Sequence, residues 1–124
     1  MVEERVIKNK NGKWKEFNRR GALVAEGNYV NDLKHGTWRE YYENGQVLIE
    51  ETYDHGIPHG RYAAYHPNGQ LFSIGQYQKG KREGNFSIYD EDGKLIRTML
   101  FIHDQQIEEM TNEPAHALSG QTRS

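Results

Sequence analysis

Hydrophobic and polar residues alternate over short stretches of this chain, and the same arrangement returns every 24 residues. Each copy starts at a glycine, continues with an aromatic-rich run, reaches a glycine-containing turn signal, and ends with a second run of branched and aromatic residues. A fixed period of this size predicts a repeat architecture, because no single unit buries its apolar side alone and neighbours must stack. The four copies begin at Gly12, Gly36, Gly60 and Gly84.

A two-residue turn signal lies in the middle of each copy. Asn-Gly and Asp-Gly favour the positive φ angles of a type I′ turn, so each copy is predicted to form an antiparallel β-hairpin. Arg20 precedes the glycine in the first copy, and we expect a looser turn there because arginine tolerates positive φ poorly. The signals in the other three copies are Asn44-Gly45, Asn68-Gly69 and Asp92-Gly93.

Two-residue loops would also fix the register of each hairpin. Phe17 would then face Val24, which places an aromatic–apolar pair beside the turn. Farther from the turn, Trp14 would face and cover Gly27, a known way to protect a glycine in a strand. The other predicted pairs are Lys15 with Glu26, Tyr41 with Leu48, Tyr62 with Gly75, Tyr65 with Phe72, and Tyr89 with Ile96.

Alternation with a period of two assigns the predicted strands two faces. The first face, expected to be the main packing face, carries Trp14, Leu23, Tyr29 and their equivalents in later copies. The second face carries the aromatic residues next to the turns and charged residues farther along the strands. We therefore predict an all-β fold, a single-layer antiparallel meander of four 24-residue hairpins in an elongated, twisted sheet. Residues 5–10 are expected to add one strand at the N-terminal edge.

The repeat pattern ends near the C-terminus, where Glu108 stands in place of a fifth leading glycine. We expect the repeat domain to span residues 1–107 and residues 108–124 to form a tail. Asp104 is predicted to cap a short helix that runs to about Met110. Beyond Pro114 we expect disorder.

Composition narrows the classes of function. The 124 residues carry a formal charge of −2 and have a mean hydropathy of −0.99. This charge lacks the basic excess that usually accompanies binding to nucleic acids or anionic membranes. The chain has no cysteine, which excludes disulfides, thiolate metal sites and cysteine nucleophiles. No run of 18 apolar residues occurs, and we expect a soluble cytoplasmic protein.

Candidate catalytic and metal-binding residues do not converge in the predicted sheet. His35 and His59 share a column, but two strands separate them, or roughly 10 Å, which is too far for one ion. We expect these histidines to pack in turns. Neighbouring acids along a strand point to opposite faces, and serine, histidine and carboxylate form no triad motif. The sequence therefore predicts no enzyme, no metal and no cofactor.

The segments YDHGIPHGRY and YQKGKREGNF, with Tyr-x-x-Gly before Gly-x-aromatic, resemble the MORN repeat. The segment GTWREYYENGQV is most similar to its bacterial variant. This resemblance implies a single-layer meander of hairpins without catalytic residues. Bacterial variant members are often described as antitoxins or immunity-like proteins, whereas MORN arrays elsewhere serve as scaffolds and are proposed to bind phosphoinositides.

An aromatic row on the second face is the predicted protein-binding site. Such residues also stabilise strands by cross-strand pairing, and that structural role stays open. A single-layer sheet nevertheless exposes an apolar stripe, and tyrosine-rich stripes favour protein contacts. The predicted binding residues are Phe17, Tyr41, Leu48, Tyr65, Phe72 and Tyr89.

These observations predict a non-catalytic protein–protein interaction module, of the antitoxin or immunity type. Its expected partner is another protein, with self-association left open and nucleic acid not expected. The alternative is a scaffold associated with lipids or phosphoinositides, since Lys79, Lys81 and Arg82 form a basic turn that phosphate headgroups could contact. Three or four charges fall short of a typical polybasic membrane signal.

Overall fold

The chain folds into one open antiparallel β-sheet. The computed structural model describes residues 9–111, and within that range it contains strands and no helix. This confirms the predicted all-β hairpin meander. The strands are β1 (Gly12–Phe17), β2 (Leu23–Val30), β3 (Leu33–Lys34), β4 (Gly36–Tyr41), β5 (Val47–Asp54), β6 (Ile57–Tyr65), β7 (Leu71–Gln78), β8 (Lys81–Arg82), β9 (Gly84–Tyr89), β10 (Leu95–Ile102) and β11 (Gln105–Thr111).

Strands that follow one another along the chain lie next to one another in the sheet. The order is β1-β2-β4-β5-β6-β7-β9-β10-β11, while the short strands β3 and β8 extend the pairing of β2 and β7. The four hairpins are β1-β2, β4-β5, β6-β7 and β9-β10. Strand β11 pairs with β10, so among the described residues β1 and β11 form the two edges.

The turn inside each copy differs from the prediction. The Tyr42 N–H donates to the Gln46 carbonyl at 2.8 Å, and the Gly45 N–H donates to the Tyr42 carbonyl at 3.0 Å. Gly45 has a φ of 90°, whereas Asn44 does not have a positive φ. This pattern is a three-residue loop with a glycine bulge, so the predicted type I′ turn is wrong. Arg20 needs no positive φ either, and its turn makes the same two bonds at 2.9 Å rather than being looser.

The register shifts by one residue beside these turns. Trp14 pairs with Gly27 and Lys15 with Glu26, as predicted, but Phe17 pairs with Leu23 and not with Val24. Because residues directly opposite one another share a face, the two predicted faces mix at the turn end of each hairpin. The same correction applies in later copies, where Tyr41 pairs with Val47, Tyr65 with Leu71 and Tyr89 with Leu95.

Type I′ geometry occurs instead at the steps between copies, where both turn residues have positive φ. His55 and Gly56 have φ angles of 47° and 89°. The Gly56 N–H donates to the Lys34 carbonyl at 2.7 Å, so this turn stacks on the preceding step. The other three steps contain Asn31-Asp32, Lys79-Gly80 and His103-Asp104, all with positive φ.

The first face forms the core, as predicted, through aromatic rings that different copies contribute. Trp38, Phe86 and Phe101 are buried. The ring of Tyr29 lies edge-on to the rings of Trp14 and Trp38, with centroids 5.5 and 4.9 Å away. Edge-to-face rings therefore link the first copy to the second, and the Tyr77 and Phe86 rings, with centroids 5.7 Å apart, link the third copy to the fourth.

Two strand glycines provide space for rings from the following copy. A side-chain carbon on Gly27 would overlap the Trp38 ring, and one on Gly75 would overlap the Phe86 ring. The prediction that Trp14 and Tyr62 cover these glycines is therefore wrong. Trp14 is the cross-strand partner of Gly27, but the covering ring comes from the next copy.

The C-terminal segment is a strand rather than the predicted helix. Strand β11 pairs with β10, with Met110 opposite Thr98. Asp104 takes a φ of 72° in the last step turn, which a helix N-cap does not adopt. The unpaired edge of β10 offers backbone hydrogen bonds that an isolated helix turn cannot match. The sheet thus continues past residue 107, while the disorder predicted beyond residue 114 and most of the strand predicted at 5–10 lie outside the described residues.

Candidate functional site

A row of cross-strand partners crosses the middle of the second face, and its side chains change from charged to uncharged halfway along the row. Its first four members alternate in charge, whereas its last four are small, apolar or hydroxyl-bearing. We call these parts the charged half and the apolar half of the second face. The row consists of Lys15, Glu26, Arg39 and Glu50, followed by Ala63, Ile74, Ser87 and Thr98.

Ion pairs and hydrogen bonds connect the charged half. Glu50 accepts bonds from Arg39 Nε at 2.6 Å and from Arg61 Nη1 at 2.9 Å. The Tyr41 hydroxyl donates to Glu26. Burial raises the pKa of Tyr41 to about 12, and the bond to Glu26 adds to the effect. Tyr41, one of the predicted binding residues, therefore already has a polar partner within the sheet.

The apolar half presents an open surface, which we call the apolar patch. Phe72 is 40% exposed, and the His66 ring lies edge-on to it with a centroid distance of 5.0 Å. At the C-terminal edge, Ile102 and Met110 are also exposed. The apolar patch consists of Tyr65, Phe72, Ile74, Tyr89, Ile96, Leu100, Ile102 and Met110.

The predicted binding residues are aligned but are not equally accessible. Phe17, Tyr41, Tyr65 and Tyr89 are the last residues of equivalent strands, so they form one row. Phe17 is 58% exposed at the N-terminal end of the sheet, and Phe72 is exposed in the apolar half. Tyr41, Leu48, Tyr65 and Tyr89 are half-buried. Their role in protein binding stays a prediction.

Polar side chains tie the turns of neighbouring copies together along one edge. The Tyr42 hydroxyl donates to the Tyr65 carbonyl at 2.7 Å, and His66 Nε2 bonds the Tyr89 carbonyl at 2.9 Å. Asn44 Nδ2 donates to the Pro67 carbonyl at 2.9 Å. Sequence analysis missed these bonds, although the recurrence of polar residues directly after the aromatic column is a signal for them.

The histidines at the opposite edge cap step turns, as predicted for turn-packing residues. His35 Nδ1 accepts the His55 backbone N–H at 3.2 Å, and His59 Nδ1 accepts the Lys79 N–H at 3.0 Å. In the same column, Asn11 Oδ1 accepts the Asn31 N–H at 2.9 Å and Glu83 Oε2 accepts the His103 N–H at 2.6 Å. Four different residues in this column thus perform one structural task.

Two cationic side chains near this edge contact aromatic rings of the first face. Lys34 Nζ lies 4.9 Å from the Trp38 ring centroid, and the Arg82 guanidinium lies 4.3 Å from that of Phe101. Arg82 Nε also bonds Asp104 Oδ1 at 2.6 Å. These contacts reduce the charge available to a lipid headgroup. Residues 9–111 include no helix long and apolar enough to cross a membrane.

An acidic groove of about 390 Å³ opens between the first and second copies. Glu51 occupies the column that holds Gly27 and Gly75 in the neighbouring copies, and it accepts a bond from the Tyr53 hydroxyl at 3.0 Å. Burial raises the pKa of Tyr53, and the negative charge of Glu51 contributes. The sequence signal for this groove is the single carboxylate in a glycine column.

The acidic residues Glu50 and Asp90 have structural partners. Asp90 Oδ1 accepts the backbone N–H groups of Asp92 and Lys94, both at 2.9 Å. The bond to Lys94 is the main cause that lowers the pKa of Asp90. Together with the ion pairs of Glu50, this pattern indicates turn capping and strand pairing.

Comparison with known families agrees with the hairpin period. The family described as MORN repeat variant matches four segments of 22 residues, 10–31, 34–55, 58–79 and 82–103, or 88 of the 124 residues. The matches start 24 residues apart, and each extends through one hairpin into the following step. No curated protein matches the chain. The family match covers more than half of the sequence, and the chain therefore belongs to the MORN repeat variant family.

Proposed function

We propose that this chain is a protein-binding module of the antitoxin or immunity type, which holds its partner on the second face. MORN repeats are generally interaction or scaffold modules without catalytic activity. The observation that carries the proposal is the apolar patch, which has no second layer packed on it among residues 9–111. Binding to this surface would block a partner by covering it, which requires no catalytic group.

The size and shape of the apolar patch suit a protein surface. The patch extends over β6, β7, β9, β10 and β11, which is about 19 Å at roughly 4.8 Å per strand. Phe72 offers an exposed aromatic anchor on β7, and aromatic anchors dominate many protein interfaces. The neighbouring charged half supplies a polar border, as many interfaces have.

Two of the predicted binding residues lie in the charged half, and we expect them to contribute less to partner binding. Tyr41 donates its hydroxyl to Glu26 and is half-buried, so a partner would gain little from it. Phe17 is exposed but stands at the far end of the sheet, beside Lys15 and Glu16. We therefore assign the main contact to Tyr65, Phe72 and Tyr89.

A capture experiment with two matched variants tests the proposal. The bait is the full chain, and the candidate partner is the product of the gene beside it. The variant with Tyr65→Ala and Phe72→Ala is expected to weaken capture at least about tenfold, as the loss of an aromatic anchor does. Its β-type circular dichroism should remain.

The variant Phe17→Ala is the control, because it removes an even more exposed ring outside the apolar patch. It is expected to retain full capture. Loss of capture in the control with none in the double variant would refute the site assignment. Sedimentation with anionic vesicles addresses the lipid alternative, and salt-sensitive binding there would favour a lipid scaffold instead.

A further inference from the structure

Three side chains with metal-binding atoms meet at the step between the second and third copies. His35 directly precedes β4, Asp54 ends β5, and His55 is the first residue of the step turn. One candidate ligand atom from each of them lies within 4.8 Å of the other two. The two imidazole rings are 4.5 Å apart, with an angle of 56° between their planes.

The spacing of these atoms fits a tetrahedral metal ion. Bonds of about 2.0 to 2.1 Å in a tetrahedron place ligand atoms roughly 3.3 Å apart. His55 Nδ1 lies 2.6 Å from Asp54 Oδ1, and His35 Nδ1 lies 3.9 Å from the same oxygen. Small side-chain rotations would therefore equalise the distances. The three side chains are 38, 61 and 59% exposed, so an ion can enter and water can complete its coordination.

The step turn explains why this group is absent from the sequence prediction. Two strands separate His35 from His59, so the sequence pattern predicts no shared ion for that pair. The type I′ turn instead returns the chain to the preceding step, where the Gly56 N–H bonds the Lys34 carbonyl. His55 thereby comes to lie beside His35, 20 residues earlier in the chain.

We propose that His35, Asp54 and His55 bind one divalent transition-metal ion, Zn²⁺ in the test below, with water as the fourth ligand. Two imidazoles and one carboxylate are a typical ligand set for an open zinc site. His35 Nδ1 also accepts the His55 N–H at 3.2 Å, and His55 Nδ1 contacts Asp54 Oδ1 at 2.6 Å, so metal binding replaces both contacts.

The other copies show which substitutions the step tolerates. The equivalent residues are His59, Gln78 and Lys79 in the third copy, and Asn11, Val30 and Asn31 in the first. Asn11 caps its turn through a side-chain oxygen at 2.9 Å, just as His35 does through Nδ1. The substitutions His35→Asn, Asp54→Gln and His55→Lys therefore each place a residue already used at that column into the second copy.

Zinc titration of the full chain by calorimetry tests the proposal. The natural chain is expected to bind one Zn²⁺ at this site, and to gain thermal stability when Zn²⁺ is added because only the folded chain holds the three ligands together. His35→Asn, Asp54→Gln and His55→Lys should each weaken that binding at least about tenfold. The matched control His59→Asn should leave it unchanged.

A second arm builds the same group in the third copy. Gln78→Asp combined with Lys79→His would give His59 the two partners that His35 has, and this variant should bind a second Zn²⁺. No zinc binding by the natural chain would overturn the proposal. Binding that is equally strong in all three single variants would also overturn it, because the ion would then lie at other residues.

Discussion

The two halves of the second face share one backbone plan and differ in their side chains. Both halves contain the same hairpin, the same glycine bulge and the same step turn. In the charged half, Glu50 joins Arg39 and Arg61 in ion pairs, whereas Ala63 and Ile74 continue the row without charge. The repeat thus fixes where side chains stand, and the residue in each column decides what the surface can bind.

The first face differs less between the halves, and it should respond equally to truncation. Trp38→Ala, behind the charged half, and Phe86→Ala, behind the apolar half, each remove a buried ring that contacts a ring of the preceding copy. Each is expected to lower the free energy of unfolding by about 3 to 5 kcal/mol. Urea denaturation of both variants measures this, with Phe17→Ala as an exposed control that should cost less than about 1 kcal/mol.

A loss confined to one of the two variants would show that the halves do not share a core. In that case the buried rings would stabilise only one half of the sheet.

One column of the first face should separate the halves. Gly75→Ala forces a side-chain carbon against the buried Phe86 ring and is expected to cost about 1 to 3 kcal/mol. Glu51→Ala, in the same column, removes the bond from the Tyr53 hydroxyl and opens the groove further, with an expected cost of about 1 kcal/mol. Thermal unfolding of the two variants compares them, and equal costs would argue against ring packing on Gly75.

The ion pairs of the charged half should have a modest and salt-dependent effect. Glu50→Gln weakens both arginine contacts, whose side chains are about half exposed, and is expected to cost about 0.5 to 1 kcal/mol at low salt. At about 0.5 M salt the difference should shrink because exposed charges are screened. The same salt series on Ile74→Val, in the apolar half, should show no such change.

Ionisation of the Tyr41 hydroxyl at high pH provides a test of the charged half. Its pKa is raised from 10.0 to about 12 in the folded chain. The stabilising contribution of this group is therefore complete below pH 10 and is lost as the pH rises through about 12. Ultraviolet titration of phenolate should show that Tyr41→Phe removes a tyrosine that ionises near pH 12, and the loss of one that ionises near pH 10 would contradict the raised pKa.

Much of this fold could be predicted because the 24-residue period is visible in the amino-acid sequence. The glycine columns and alternating runs identify the hairpins, and the predicted cross-strand partners of Trp14 and Lys15 are correct. The turn class could not be assigned, because Asn-Gly suits both a type I′ turn and a loop with a glycine bulge. Asp104 was misinterpreted for a similar reason, since aspartate serves helix caps and left-handed turn positions alike.

The candidate site was predictable in outline only. The aromatic row follows from the period, so its alignment could be read from the column that contains Tyr65. Which side chains meet across a step depends on the turn geometry. The contacts of Glu50 with Arg61 and of His35 with His55 could therefore not be predicted from the sequence. The exposure of Phe72 likewise depends on which neighbouring rings fold over it.

Oxidative footprinting of the chain, alone and bound to its partner, tests most directly whether the apolar half is the binding surface. Hydroxyl radicals label exposed rings and thioethers, and Phe72, Met110 and Phe17 are all exposed. We expect labelling of Phe72 and Met110 to fall in the complex while labelling of Phe17 stays the same. Protection of Phe17 with unchanged labelling at Phe72 and Met110 would contradict this account.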